Sequence, residues 1–449
     1  MTSGQSTQVS IEDQTPQQLA QTLADYAYPL VIMKISRDLM LNSPLRPRTP
    51  DNHLILFKQL AQPENTAVVL GNRDTLYTVA WIDLSEGPVA FSIPDMGDRY
   101  FVMPLLDAWT NTFESLGSRT TGEGAQRYVL YRRGEAEPNV PGYTPIEAPT
   151  SMVWLTGRIE VQGDSDLSAA QKIQSQYEMI SFSEGLTGTD PFQDREPTFV
   201  GAQIGLPVPH SLGMSASDYY DTFLEMLSTN PPLPADQTFV ETVAAKLFDI
   251  ESVDAFSDVE PSVQELLTAG LTHQQSYLQA TFAEGSAQDK PWILNKQEMG
   301  TWGTDYATRA YWAVWGLGAN LVEDAIYGVT QLDANLDQLS GKQRYEMYFQ
   351  PGDIPQVRGF WSLTAYDIEG YLEQNEWRRY QVGQNYDIQP DSQGGLRIVL
   401  SSTKPANVGE ENWLPVPVGD FKLLFRMYWP DPSVLAPSYE LPSITKLVE

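Results

Sequence analysis

The chain has no cysteine in 449 residues, and that absence removes disulfide frameworks, thiolate zinc sites, iron–sulfur clusters and cysteine nucleophiles together. Histidine is nearly as scarce: His53, His210 and His273 fall in separate segments, with no i, i+4 pair to set two imidazoles on one helix face. Basic residues are few beside acidic ones, 28 Lys plus Arg against 58 Asp plus Glu, for a formal charge of −30. A chain so negative repels phosphate backbones and anionic headgroups, which argues against nucleic acid and membrane surfaces as partners. No run approaches the ~20 apolar residues of a membrane span. The polar opening MTSGQSTQVS carries no apolar leader segment. The chain therefore reads as soluble, in the cytoplasm or, if a leader has been removed, in the periplasm or outside the cell. GSRTTGEG at 117–124 has glycines but no Lys, and GLGAN at 316–320 is no dinucleotide fingerprint; G-x-S-x-G and H-E-x-x-H do not occur.

What remains is a globular composition rich in turn formers and rings: 41% hydrophobic, 11% aromatic, 32 Gly and 32 Pro. Leu19, Leu23, Tyr26, Leu30, Met33 and Ile35 recur at helical spacing and predict a helix from Pro16 to about Leu41. From about residue 66 to 161, runs such as TLYTVAWIDL, RYFVMPLL and MVWLTGRIEV are separated by Gly, Pro and Asp, the grammar of an antiparallel sandwich or barrel. Helical spacing returns over 167–182 and in three later stretches, with Ser215, Ser217, Asp218 and Asp236 as cap or first-turn residues, and again over 304–328. From Arg344, RYEMYF, GFWSLTAYD, LRIVLS and FKLLFRMYW restore the strand pattern. The expected fold is mainly β with helical insertions. An N-terminal helix and first β-sandwich occupy 1–165, a helical middle 166–303, and a helix with a second sandwich 304–449.

Several stretches resemble a paired set of bacterial and viral families, the domains of unknown function 1254 (amino-terminal) and 1214 (carboxy-terminal). In the first half they are YAYPLV (26–31), NRDTLYTVAWIDLSEGPV (72–89), DMGDRYFVMPLLDAWTNTFESLGSRTTG (95–122) and PTSMVWLTGRI (149–159). In the second they are TRAYWAVWGLGAN (308–320), GKQRYEMYF (341–349), GFWSLTAYD (359–367), NWLPVP (412–417) and LLFRMYWPD (423–431). The resemblance spans nearly the whole chain. It implies two jelly-roll-like β-domains joined through helices, and it implies no reaction.

Candidate chemistry gathers in these stretches. Asp74 stands at a strand mouth, and Arg99, Asp107, Asn111 and Arg119 alternate with aromatics through one strand, turn and loop. Guanidinium forks grip carboxylates bidentately, so Arg99 and Arg119 either pair with Asp74 or Asp107 as buried scaffold or bind an acidic substrate. In the catalytic reading Asp74, Asp107, Arg99 and Arg119 act on a small polar or saccharide-like molecule, as a hydrolase or lyase. An Asp serves as general acid or base and an Arg stabilises the developing anion. A glycosidase version needs the carboxylates ~5–10 Å apart. Tyr77, Trp109, Asn111, Trp361, Asn412, Trp413 and Arg426 form the substrate-contacting set, since rings stack on apolar faces while amide and guanidinium orient. The alternative is a non-catalytic binding or assembly protein, capsid-like or lectin-like. Homo-oligomers stay open in either case. No cofactor is evident. Asp333, Asn335 and Asp337 copy three oxygen positions of a calcium loop, but Gln338 and Arg344 stand where its Gly and Glu belong, leaving a looser calcium site against a plain polar loop.

Overall fold

The computed structural model describes residues 9–42, 50–65, 69–181, 207–284, 290–296 and 299–447. The expected first helix, α1, runs over Pro16–Leu41 and opens on a reciprocal cap: Gln18 N–H donates to Thr15 Oγ1 while Thr15 N–H donates to Gln18 Oε1. It is followed by strands β1 (Ile55–Phe57), β2 (Thr75–Asp83), β3 (Val89–Ile93), β4 (Phe101–Asp107), β5 (Thr112–Gly117), β6 (Gln126–Arg132), β7 (Thr144–Ala148) and β8 (Met152–Glu160). Next come α2 (Leu167–Gln174), β9 (Glu178–Ser181), α3 (Pro207–Ser211), α4 (Ala216–Thr229), α5 (Gln237–Lys246), α6 (Pro261–Glu284), β10 (Ile293–Leu294) and α7 (Tyr306–Trp315). The chain closes with β11 (Ala325–Thr330), β12 (Tyr345–Phe349), β13 (Trp361–Asp367), β14 (Gln381–Gly383), β15 (Leu396–Ser401), β16 (Trp413–Pro415), β17 (Phe421–Tyr428), α8 (Pro432–Leu435) and β18 (Thr445–Lys446).

The strands make two sandwiches. In the first, a sheet ordered β1-β2-β8-β4-β5 faces one ordered β7-β6-β3-β9; in the second, β10-β11-β17-β13-β14 faces β16-β15-β12-β18. The two orders correspond strand for strand, including one parallel pair in each, β6 with β7 and β15 with β16, inside otherwise antiparallel pairing. The halves are therefore one topology used twice, a duplication the sequence does not display as a repeat. Each sandwich closes over its own apolar core, Leu76, Phe101, Leu130 and Leu155 among others in the first and Met347, Leu363, Ile398 and Phe425 in the second.

Two helical expectations are cut short. Over 167–182 only α2 is helical, because Tyr177 and Met179 alternate with Glu178 at period 2 and take β9 into the first sandwich, pairing Phe91 with Met179. Over 304–328, α7 ends at Trp315, where Gly316 and Gly318 follow. Gly318 has φ +81° and packs so tightly on Trp154 that a Cβ would meet its ring at 2.9 Å. The first sandwich thus extends to Ser181 and the second begins at Ile293, beyond the boundaries drawn at 165 and 304.

Helix α1 is buried on nearly every side and is the post around which α3, α4, α6 and α7 assemble. The closest approach is at Gly270 of α6, where a Cβ would lie 2.6 Å from the carbonyl oxygen of Ala20. Backbone cannot yield as a side chain can, so Gly270→Ala must push the helices apart. It is expected to cost about 1–3 kcal/mol in urea unfolding. Gly124→Ala, in open space, should change stability by no more than about 0.5 kcal/mol.

Candidate functional site

Period-2 alternation divides each long strand between the core of its sandwich and the outside. On β2, Leu76, Ala80 and Ile82 enter the first core, and Tyr77, Val79 and Trp81 face away; on β8, Val153, Leu155 and Ile159 enter it, and Trp154 and Arg158 face away. On β17, Leu423, Phe425 and Met427 enter the second core, and Leu424, Arg426 and Tyr428 face away. The outward faces are not wet. One stretch of the first sandwich's face receives α1 and its neighbours through Val79, Trp81 and Trp154, and the rest meets the outward face of the second sandwich.

That meeting is polar and sealed. Asp74 accepts from Ser362 Oγ at 2.7 Å and from Tyr428 at 3.5 Å. Burial pushes its carboxyl above the ordinary range, and Arg426 and the Ser362 hydroxyl pull part of that back. Arg426 donates to Thr364 Oγ1 (2.9 Å), the Leu70 carbonyl (2.8 Å) and Tyr366 Oη (2.7 Å). Arg158 donates to the carbonyls of Thr156 and Gly318 and to Asn320 Oδ1, with its guanidinium 5.0 Å from the centre of the Tyr77 ring. Burial raises the Tyr77 phenol, but Arg158 and the Asn72 amide outweigh it and leave the hydroxyl below its usual value. Asp74, Tyr77 and Arg426 are therefore brought together, with Asp74 and Arg426 buried and Tyr77 partly exposed.

The other expected residues go elsewhere. Arg99 forks onto Asp166 and Arg119 onto Asp324, not onto Asp74 or Asp107. The two expected carboxylates are far apart: Thr75 pairs with Glu160 and Asp107 with Val153, seven residues along β8, or about 23 Å at ~3.3 Å per residue. They cannot form a glycosidase pair. Asp107 instead closes a turn, its Oδ1 accepting from Asn111 N–H while its own N–H donates to the Asn111 carbonyl and Thr110 adopts φ +67°. The same five-residue turn recurs at Asp333–Asp337, Asp367–Tyr371 and Asp391–Gly395, with the fourth residue left-handed each time. The calcium candidate Asp333, Asn335 and Asp337 lies in one of these turns. Asp333 Oδ1 accepts from the N–H groups of Asn335 and Asp337, and no group of three His, Asp or Glu able to hold a metal occurs among the described residues.

The aromatics of the expected set are packing residues. Trp361 stacks on Phe425 at 5.1 Å inside the second core, Trp413 is buried with Nε1 donating to Ser401 Oγ at 3.0 Å, and Asn412 ties a loop by donating to the carbonyls of Gln389 and Arg397. Trp109 donates to the Pro231 carbonyl and, with Tyr26 and Tyr306, encloses the fully buried Arg309, whose carbon lies 5.0 to 5.4 Å from the three ring centres. His53, His210 and His273 stay apart, before β1, in α3 and in α6.

An open cleft of about 300 Å³ lies on the seam between the sandwiches, at the lower end of the range for small-ligand sites. The first half supplies Asp98 and Tyr100 at the entry to β4, Ser118 and Glu123 beyond β5, and Glu160 and Gln162 at the end of β8. The second supplies Arg358, Gly359 and Phe360 before β13, Gln384 and Asn385 after β14, and Trp429 after β17. Its floor is tight. A Cβ on Gly359 would meet the Tyr428 carbonyl at 2.8 Å and the Tyr100 ring at 3.2 Å. Trp429 is held at φ +49°, a conformation costly for a bulky residue, with its N–H donating to the Asp324 carbonyl and its carbonyl accepting from Arg358 N–H. Glu160 accepts from Tyr100 N–H (3.0 Å), Asn385 Nδ2 (2.9 Å) and Gln162 Nε2 (3.4 Å); burial lifts its carboxyl above the ordinary value, and these donors restrain the rise. None of these lining residues was singled out from sequence. Their signal was position alone: Asp98 and Tyr100 flank Arg99, and Trp429 follows Tyr428.

Asp107 also gives a test of the buried turn. Its carboxyl is pushed up to about 6, first by burial. A raised acid pKa means that the folded state holds the proton more tightly. This group's contribution is therefore fully present below about pH 4 and is lost as pH climbs through 6, by on the order of 3 kcal/mol. The stability of Asp107→Asn relative to the unaltered chain should rise between pH 4 and 7 in chemical denaturation; a flat difference contradicts the assignment.

Comparison with known proteins agrees with this architecture. The VPA0106 protein of Vibrio parahaemolyticus, a crystal structure, superposes with a TM-score of 0.73 at 21% identity over 97% of this chain and 100% of that one, a likeness of fold. An uncharacterized protein of Burkholderia cenocepacia gives a TM-score of 0.44 at 10% identity over 94% and 87%. No curated protein matches. Residues 52–181, from just before β1 to the end of β9, match the family described as Protein of unknown function (DUF1254), and residues 324–432, from β11 past β17, match Protein of unknown function (DUF1214). The chain thus matches the models of both families, one in each sandwich.

Proposed function

We propose that the protein binds a small polar molecule in the cleft between its two sandwiches. The observation that carries this reading is that neither half alone forms the site: strand ends of both wall it, and polar side chains dominate its lining. Ligands settle where a rigid scaffold brings separate elements to one hollow, and the sealed layer beside the cleft supplies that rigidity. The strained Trp429 points the same way, since backbone strain persists where surrounding structure fixes it and gathers at ligand clamps. A catalytic version, hydrolase or lyase, moves from Asp74 and Asp107 to Glu160. Its carboxyl, lifted above the ordinary value by burial, is the group in the cleft best suited to exchange a proton with a bound molecule.

The test is thermal unfolding of the full chain against a panel of monosaccharides, polyols, amino acids, small organic acids and amines. A ligand at a hundred times its Kd adds about 2.7 kcal/mol. With an unfolding entropy of about 2.1 cal/mol/K per residue, that amounts to a rise of about 3 °C in Tm for a chain of 449 residues. Trp429→Gly keeps the left-handed backbone without strain and removes the ring. It should fold at least as stably and lose most of the shift. A panel without any shift, or a shift that survives Trp429→Gly, contradicts the proposal.

A further inference from the structure

Resting on that ligand-binding reading, we propose that the cleft takes a small organic cation, an alkylammonium or quaternary ammonium group. The lining holds three carboxylates, Asp98, Glu123 and Glu160, against one guanidinium, Arg358. Among the described residues, none of the three is in an ion pair with Lys, Arg or His. Arg99, which reaches the backbone carbonyl of Glu160, has its fork committed to Asp166. Glu160 is the decisive member. It is only 5% exposed, its carboxylate accepts from neutral donors alone, and the one guanidinium that acts on it, Arg99, is already paired with Asp166, so a cation in the cleft would meet a buried carboxylate that lacks an ion-pair partner of its own.

The opposite wall suits such a cation. Arg358 already rests its guanidinium 5.7 Å from the centre of the Trp429 ring, so this face of the cleft accommodates positive charge over an aromatic surface. Arg358 is itself solvent-exposed, near the Asp431 carboxylate but not in an ion pair among the described residues, and a ligand cation can take its place. An ammonium bound there sits over a ring and near a carboxylate, the two groups that recognise it best. The −30 charge of the chain raises the local concentration of cations at the cleft mouth. A bare metal ion fits poorly, since hard cations need several oxygens converging on one point and no group of three such side chains occurs among the described residues. A neutral sugar would leave the buried charge of Glu160 uncompensated.

Calorimetric titration of the full chain with putrescine and with choline, against glucose and acetate, separates the outcomes. At least one of the cations should bind, with affinity falling several-fold from 20 to 200 mM NaCl. Glu160→Gln, checked for folding by circular dichroism, should weaken binding at least about tenfold, because it removes the buried charge and keeps the shape. Arg358→Ala should tighten it by removing the competing cation. If glucose or acetate binds and neither cation does, the cation assignment is wrong while the cleft remains a binding site. If none binds and the wider panel also fails, both readings fall. Cation binding unchanged in Glu160→Gln would mean diffuse surface charge and overturns the assignment.

Discussion

Everything in this molecule depends on two β-sheets burying their outward faces against each other through charged and hydroxylated side chains. A sheet outside its own sandwich normally meets water, and Arg158, Arg426, Asp74, Tyr77 and Tyr428 have the side chains for that. Here all but the partly exposed Tyr77 are buried, so each donor and acceptor must find a partner within the layer or leave a desolvated group behind. Most do, and the partners come from both halves: Ser362 to Asp74, Asn320 to Arg158, the Leu70 carbonyl to Arg426. Arg119 and Ser115 both reach Asp324 across the same seam. Such bonds have direction where apolar contact has none. They fix the relative position of the sandwiches, and with it the width of the cleft that the two share.

Using one strand order twice explains why the seam can exist. Each copy places the same kind of sheet, β1-β2-β8-β4-β5 or β10-β11-β17-β13-β14, on its outer side, so the two outer faces match in size and strand count. The first face is the more heavily used, since α1 and its companions cover what the second sandwich leaves open. That is why all nine residues of β8 are buried, in a strand whose alternate positions elsewhere would be wet. One misleading aspartate is duplicated with the fold, Asp107 at the end of β4 and Asp367 at the end of β13, and two more in the second half share its role. Asp107, Asp333, Asp367 and Asp391 each begin the same turn, in which one carboxylate oxygen accepts the backbone N–H four residues on. Aspartate at a strand end looks like a catalytic acid and is, in these four cases, turn chemistry.

The local grammar of the chain was legible because it depends on neighbours in sequence. Helix α1, the long strands and the helices α4, α5 and α6 are where spacing put them, and the two-sandwich fold follows from the runs and turns. What could not be read was which residues meet across large separations. Arg119 and Asp324 are 205 positions apart, and Asp74 and Ser362 are 288 apart; nothing in either segment specifies the other. Alternation says that Tyr77 and Arg158 share a face, but not that the face is dry. The same blindness hid the cleft. Its lining residues come singly from the ends of many strands, next to residues with louder chemistry, and only the closure of the fold assembles them.

The position of the cleft follows from the layer itself. Along β8 the outward residues run Trp154, packed under the helices; Thr156 and Arg158, sealed in the seam; and Glu160, at the cleft. β17 runs the same way through Leu424, Arg426 and Tyr428 to Trp429 just beyond. Each strand carries its polar stripe outward until the two sheets no longer touch. Inside the layer, charged side chains take hydrogen-bond partners from the protein, because an unsatisfied charge there would be costly in a low dielectric. At the rim that requirement lapses, since a mobile partner can complete what the protein leaves undone. Arg158 gives its terminal donors to carbonyls and an amide, and Glu160, two residues further on, accepts from neutral donors; both charges are held by neutral groups, but Glu160 stands at the open cleft. A carboxylate held by neutral donors where the seam opens into a cleft is the reason to look for a ligand there, and its sign is the reason to expect that ligand to be positive.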